Sequence, residues 1–364
     1  MRDKQSLSLA TLLIAAVLIG LFFLSATVIL AQPPLSRPCS PIVTDPDRMI
    51  WDAPGINPGD EMYADVAYNS QDNEYLVIFE WEDAGGGSGR DIASIVVDAS
   101  GQSALSPNGV ATTDAYTDTH PTVAYNPTDN TYLAVWERVA ATGDSYIQGA
   151  ILHSNGALSS TFTIANWTGD QRYPDVAYSA ACNCYLVVWE DYYTHWANRP
   201  DIYGAVVSAS GAILDYESVT GLNAAWEQTR PAVTTNASTG RWMVTWQDSR
   251  PCGTTSDDIY GQQMQFAGSI LSPWGDQLHI GALVGWGSTP DVAWGQVGSG
   301  DGEFLVVWPE NNTMYAQRIR ADSVLVGGVI TVSDYASGKY APAVTFDSSD
   351  GAWWVVWADN RDYG

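Results

Sequence analysis

A chain of 364 residues can bury a large core, and 46% hydrophobic content with 33 Gly, 16 Trp and 19 Tyr suits strands and tight turns better than helices. Its 41 Asp and Glu against 15 Lys and Arg set the formal net charge at -26, which excludes nucleic acid and anionic lipid headgroups as partners of the chain's body. The acid excess leaves calcium open as a ligand, beside the plainer reading of a soluble acidic surface with no cofactor.

In chain order, MRDKQ is followed by an uncharged stretch from Leu7 to Ala31. This stretch reads either as a secretory signal peptide cut near Ala26 or Ala31, or as a retained N-terminal membrane anchor; both readings make residues 1–32 an export element. They also place the remainder outside the cell or on its surface and limit membrane contact to this segment. Residues 33–50 read as a linker. The segment CSPIVTDPDRMIWD, from Cys39 to Asp52, carries two short apolar pieces that could complete a sheet of the body that follows, residues 51–364. Of the four cysteines, Cys39, Cys182, Cys184 and Cys252, the middle two flank one residue of an expected hairpin turn. A bridge between them would close a very small ring, and a longer bridge stays open as the alternative.

The body is a repeat. Its units begin ADVAYNSQDNEYLVIFEWED at Ala64, PTVAYNPTDNTYLAVWER at Pro121, PDVAYSAACNCYLVVWED at Pro174, PAVTTNASTGRWMVTWQD at Pro231, PDVAWGQVGSGDGEFLVVWPE at Pro290 and PAVTFDSSDGAWWVVWAD at Pro342. The shared valines, Val66, Val123, Val176, Val233, Val292 and Val344, recur every 52 to 59 residues, and a closing aromatic follows in each unit at Phe79, Trp136, Trp189, Trp246, Trp308 and Trp357. Pro leads a short first strand, Asn, Asp and Gly supply a hairpin turn, and a second run such as YLVVW is apolar on consecutive positions. A strand apolar on both faces is one sandwiched between two sheets. A third segment such as DIYGAVVSASG at Asp201 and a weaker fourth such as TFTIAN at Thr161 complete the unit. Four short antiparallel strands at this period predict an all-β fold, a β-propeller of about six four-stranded blades. The last unit ends soon after its second strand, so the N-terminal segment is a candidate to close it.

The P-x-VAYN…YLVVWED…DIYG…G pattern over roughly residues 60–364 resembles the repeats of exported bacterial β-propeller proteins, and is broadly similar to the TolB-type repeat with its P-x-W-S-P-D-G and D-I-Y elements. The resemblance implies the fold and leaves the function open among binding proteins, assembly factors and enzymes.

Three sets of residues are candidates for function. Acids after the closing aromatic, Glu80, Glu82, Asp83, Glu137, Glu190, Asp191, Asp248, Glu310 and Asp359, should ring one rim, either as calcium or cation ligands or as turn caps and partners of Arg138, Arg250 and Arg361. Aromatics before successive first strands, Tyr116, Trp167, Trp226, Trp286 and Tyr335, with Tyr340 also available, would suit a sugar-binding surface, each ring covering apolar C–H groups, or else fill the space between blades. The loop DYYTHWANRP from Asp191 adds Tyr192, Tyr193, His195 and Trp196 and is the most irregular of its kind.

No catalytic set stands out. Ser348-Ser349-Asp350-Gly351 matches only part of the Ser-x-Asp-x-Gly-x-x-Trp box of sialidase-type propellers, and His120, His153, His195 and His279 are scattered singly. The expectation is a monomeric, non-enzymatic propeller that binds a glycan or a protein. The alternatives are a glycoside hydrolase or lyase using rim carboxylates, and a purely structural module.

Overall fold

The computed structural model describes residues 29–30, 62–82, 89–99, 108–109, 116–140, 143–192, 199–221, 226–250, 257–281 and 289–360. These form five antiparallel four-stranded sheets, each a meander in chain order, and a sixth sheet of three strands. The first blade runs β2 (Met62–Asn69), β3 (Glu74–Glu82), β4 (Arg90–Asp98) and β5 (Asn108–Gly109). The second is β6 (Thr117–Asn126), β7 (Thr131–Val139), β8 (Ser145–His153) and β9 (Leu158–Ala165). The third is β10 (Gln171–Ser179), β11 (Cys184–Asp191), β12 (Asp201–Ser208) and β13 (Ile213–Ser218). The fourth is β14 (Gln228–Thr235), β15 (Trp242–Asp248), β16 (Asp258–Ala267) and β17 (Ile270–Gly281), and the fifth is β18 (Asp291–Gly295), β19 (Glu303–Glu310), β20 (Thr313–Arg320) and β21 (Leu325–Ser333).

In the sixth, β22 (Lys339–Asp347) pairs with β23 (Ala352–Asp359), and β1 (Ile29–Leu30) lies along the other side of β23, opposite Val355 and Trp354. The third place in this sheet is thus held by two residues from the end of the N-terminal apolar run. The segment Cys39–Asp52 lies outside the described residues, as do the remainder of residues 1–32 and the linker. Among the described residues no helix is long and apolar enough to cross a membrane.

The second strand of each blade carries the packing. In β11 all eight residues are buried, and Trp136, Trp189, Trp246, Trp308 and Trp357 are each 1% exposed or less. Alternate residues point to opposite faces, so Leu186 and Val188 join a cluster with the fourth blade while Tyr185, Val187 and Trp189 join one with the second. Similar clusters bind the first blade to the second, the fourth to the fifth and the fifth to the sixth. Each such side chain contributes about 1.5–3 kcal/mol by leaving water.

Polar residues fix the two ends of the hairpin. At the turn, Asn69, Asn126 and Asn236 accept N–H groups two and three residues on, and Asn73, Asn130 and Asn183 take left-handed φ angles of 55°, 53° and 47° that Asn tolerates. Cys182 and Cys184 are bridged within the third of these turns, which realises the short-ring alternative; Cys39 and Cys252 lie outside the described residues. From the shared valine to the closing aromatic is 16 residues in the fifth unit, Val292 to Trp308, against 13 in the others, and the three extra residues fall in the loop between β18 and β19.

At the other end the indole Nε1 of Trp189 donates to Asp191 at 3.0 Å and that of Trp246 to Asp248 at 2.9 Å. The second blade has Arg138 where these have Asp. There Asp118, opposite Arg138 on the adjacent strand, accepts both the Trp136 indole at 2.8 Å and the Arg138 guanidinium at 2.7 Å.

Around the axis the first strands follow a two-blade rhythm. The middle residue of P-x-V, or of the equivalent Ala-Asp-Val in the first blade, is Asp65, Asp175 and Asp291 in the odd blades and Thr122, Ala232 and Ala343 in the even ones. Each Asp accepts the N–H of the valine in the following blade: Val123 to Asp65 at 2.8 Å, Val233 to Asp175 at 2.7 Å and Val344 to Asp291 at 2.7 Å. The single hydroxyl of Thr122 lies 2.9 Å from Asp65 Oδ2 and 3.1 Å from Asp175 Oδ1, so its one proton satisfies both only if one carboxyl is itself protonated. Desolvation, with repulsion among the three, pushes Asp175 and Asp291 up to about 7 despite their backbone hydrogen bonds. A folded-state value raised above the unfolded one means the folded chain holds extra protons between about pH 4 and pH 7, so this contribution to stability falls as pH rises through that window. Carboxyl-carbon NMR titration should give midpoints near 7 for Asp175 and Asp291; midpoints below 4 would refute the coupling.

Candidate functional site

The same first strands carry a bulge just before the shared valine, where the pairing register shifts between Met62 and Asp65, Thr119 and Thr122, Arg172 and Asp175, and Thr229 and Ala232. Within each bulge one residue takes a left-handed φ: Tyr63 at 47°, His120 at 52°, Tyr173 at 50° and Arg230 at 56°. Glycine or asparagine would hold that conformation without strain, and a larger side chain there costs on the order of 1 kcal/mol. The sixth blade shows the same φ at Ala341, so the conformation belongs to the repeat, whereas the large side chains belong only to the first four blades.

These four side chains form a continuous row, Tyr63 tilted 49° to His120 and His120 edge-on to Tyr173 at 64°. The Tyr63 and His120 ring centroids are 4.3 Å apart, those of His120 and Tyr173 4.5 Å, and the Arg230 guanidinium carbon sits 4.1 Å from the Tyr173 centroid. They arch over a cavity of about 230 Å3, lined also by Pro121, Pro174, Pro231 and Thr289, residues of five successive repeats. It opens at the axial end of the first strands, which pack on one another from blade to blade, and Tyr63 is 54% exposed at its edge.

Carboxylates from the preceding blades hold the arch. Glu80 Oε1 accepts the His120 N–H at 2.7 Å while Oε2 takes Arg90 at 3.0 Å. Glu137 accepts the Tyr173 N–H at 3.4 Å and lies 3.5 Å from the His120 ring Nδ1. Glu190 accepts the Arg230 N–H at 2.8 Å and the Tyr192 hydroxyl at 3.2 Å. Burial raises Glu80 and Glu190 above the ordinary carboxylate range, and the N–H groups they accept oppose it. The fourth and fifth blades have Gln247 and Pro309 at this place, and the large left-handed side chains stop there too.

The expected site residues are dispersed over this end of the ring. Tyr192 belongs to the mouth through Glu190, and Arg172 lies over its ring at 5.4 Å. Trp167 packs as inter-blade filler against Trp189, Tyr203 and Tyr216 and donates to Asp191 at 2.6 Å. Tyr116 lies beneath Arg138 at 5.1 Å and Trp226 beneath Arg199 at 5.4 Å, and neither lines the cavity. Tyr335 and Tyr340 are exposed on the sixth blade. Tyr193, His195, Trp196 and Trp286 lie outside the described residues, as do Asp83 and Arg361.

The rim acids act as caps: Asp191, Asp248 and Asp359 serve the indoles, and Arg250 pairs with Asp248 at 2.8 Å. Among the described residues no group of three or more His, Cys, Asp or Glu is arranged to hold a metal ion. Sequence reading passed over Tyr63, His120, Tyr173 and Arg230. The available signal was their common slot, just ahead of the strand-one motif.

No protein-family model matches the chain, and no curated protein sequence does. Solved structures share its fold. The NanB sialidase of Streptococcus pneumoniae aligns at 8% identity with a TM-score of 0.56, over 87% of this chain and 68% of that one. An α-L-arabinofuranosidase of Fusarium graminearum aligns at 11% identity and an α-L-arabinanase of Penicillium chrysogenum at 12%, both with a TM-score of 0.52 over 82% of this chain and 93% of theirs. Such likeness establishes the propeller and nothing finer.

The clamp at Glu190 is testable by itself. Glu190→Ala leaves the Arg230 N–H without its acceptor and should lower unfolding free energy by about 1–3 kcal/mol, whereas Glu190→Gln, which keeps an oxygen there, should stay within about 1 kcal/mol of the parent in urea titrations.

Proposed function

We propose that the protein is an exported, non-enzymatic β-propeller that binds a glycan at the axial mouth. The observation that carries this reading is the row of Tyr63, His120, Tyr173 and Arg230 over the 230 Å3 cavity. Large side chains are retained there in a backbone conformation that favours glycine, and strain of this kind collects at functional positions. Ring faces suit the apolar C–H surface of a sugar, while Arg230, His120 and the Tyr hydroxyls offer donors and acceptors for its hydroxyls. That the sialidase, arabinofuranosidase and arabinanase sharing the fold are named for work on sugars adds support.

Binding is favoured over catalysis because the carboxylates beneath the row are committed. Glu80 and Glu190 each use both oxygens on protein donors, and Glu137 faces His120, Arg172 and the Tyr173 N–H. A general acid or base needs an oxygen free to reach the substrate. The reading extends to a bacterial surface or secreted location, with the N-terminal apolar run as signal or anchor, and to action as a monomer. The acidic body makes nucleic acid an unsuitable ligand.

Glycine at the left-handed positions removes the ring and suits the backbone, so Tyr63→Gly and Tyr173→Gly should keep the fold. On a glycan array and in titrations with its hits, each should weaken binding about tenfold or more, a loss of about 1.4 kcal/mol. Trp226→Ala, which leaves the mouth intact, tests whether the rim aromatics extend the surface. Unchanged affinity in both glycine variants would overturn the mouth as the site, and turnover of a polysaccharide by the parent would replace binding with glycoside cleavage.

A further inference from the structure

At the opposite end of the ring, where the hairpin turns lie, a second cavity of about 330 Å3 opens between the third and fourth blades. Its walls include Phe266, Trp242 and Trp274, with Ala181 and Cys182 from the bridged turn of the third blade and Thr239 from the turn of the fourth. Arg241 borders it, the guanidinium carbon 3.5 Å from the Trp274 centroid.

Six described arginines, including Arg90, Arg138 and Arg318, pair with a carboxylate. Arg241 does not. Its Nη1 is shut off from solvent without a hydrogen-bond partner, and among the described residues no acceptor meets its guanidinium. A buried, unmet charged donor is costly, and in a chain with 41 acids a carboxylate partner would be easy to supply. Asp301 acts on Arg241 only through its charge, while burial pulls the guanidinium below its usual range. Stacking on Trp274 holds the planar group in one orientation and leaves its Nε and Nη2, which are not shut off, for an acceptor that comes from outside.

We infer that this cavity is a second binding site, for a small carboxylate carried on a flat apolar body. One guanidinium matches one carboxylate through paired N–H···O bonds, and a single positive charge suits a monoanion better than a phosphate dianion. Phe266 and Trp242 supply apolar wall for a planar group, and the Thr239 hydroxyl supplies a further polar contact. The site is separate from the axial mouth, so its fate does not depend on the glycan reading.

Benzoate is the probe, followed by calorimetry and by tryptophan fluorescence of the full chain, with benzamide and inorganic phosphate as comparators. Benzoate should bind saturably, with benzamide and phosphate each at least tenfold weaker. Arg241→Met, which keeps an apolar stem over Trp274, should lose at least tenfold in affinity with an unchanged melting temperature. Asp301→Asn, on an exposed turn, should tighten binding severalfold by removing a competing negative charge, and it serves as the independent arm if the Met variant folds poorly. Absence of saturable benzoate binding, equal binding of benzamide, or parental affinity in Arg241→Met would each overturn the proposal, as would weaker binding in Asp301→Asn.

Discussion

A carboxylate reaching across the gap between blades to a main-chain N–H of the next one is the interaction on which the rest of this ring depends. Apolar packing pulls the blades together, but it is not directional and would tolerate sliding of one sheet on another. Asp65, Asp175 and Asp291 fix the depth of each even blade against the odd blade before it, and Glu80, Glu137 and Glu190 fix the upper end of three successive first strands. Charged acceptors on backbone donors are among the stronger hydrogen bonds, and in the ring's interior few waters compete for them.

That solution buries three carboxyls near the axis, and desolvation, with their mutual repulsion, raises the values of Asp175 and Asp291 toward neutrality. It also presents one residue of each bulge to the axial mouth. The bulge frees that residue from the strand ladder, and in the second, third and fourth blades a glutamate takes its N–H. Backbone geometry is therefore set by the repeat, while the side chain is open to be chosen for a ligand. His120, Tyr173 and Arg230 occupy the slot where a glutamate of the preceding blade takes the N–H, and Thr289 and Ala341 occupy it behind Gln247 and Pro309.

Charge is distributed with the same economy. Against a net charge of -26, most described arginines neutralise a nearby acid, whereas Arg230 and Arg241 lie on aromatic faces at opposite ends of the ring. A cation on a ring keeps its hydrogen-bonding edge available, which a carboxylate partner would consume. The two cavities differ accordingly: the axial mouth is open and lined by successive repeats, and the second lies between two blades, walled by the hairpin turns of both.

Much of this was legible in the chain alone. The spacing of Val66 to Val344, the Asn-rich turns and runs such as YLVVW determine the four-stranded unit and its stacking, because strand period, turn chemistry and two-sided burial are local properties that repeat. The aromatics were legible as residues but not as partners: Trp167, ahead of a first strand, is filler, whereas Tyr192, just after a second strand, reaches the mouth. His120, read singly, is an ordinary lone histidine, and nothing adjacent to it reveals Tyr63 and Tyr173, which lie 57 and 53 residues away. Only the ring brings them within 5 Å, since stacking between blades joins positions one repeat apart, and side-chain direction at a left-handed bulge is set by tertiary hydrogen bonds, not by local sequence.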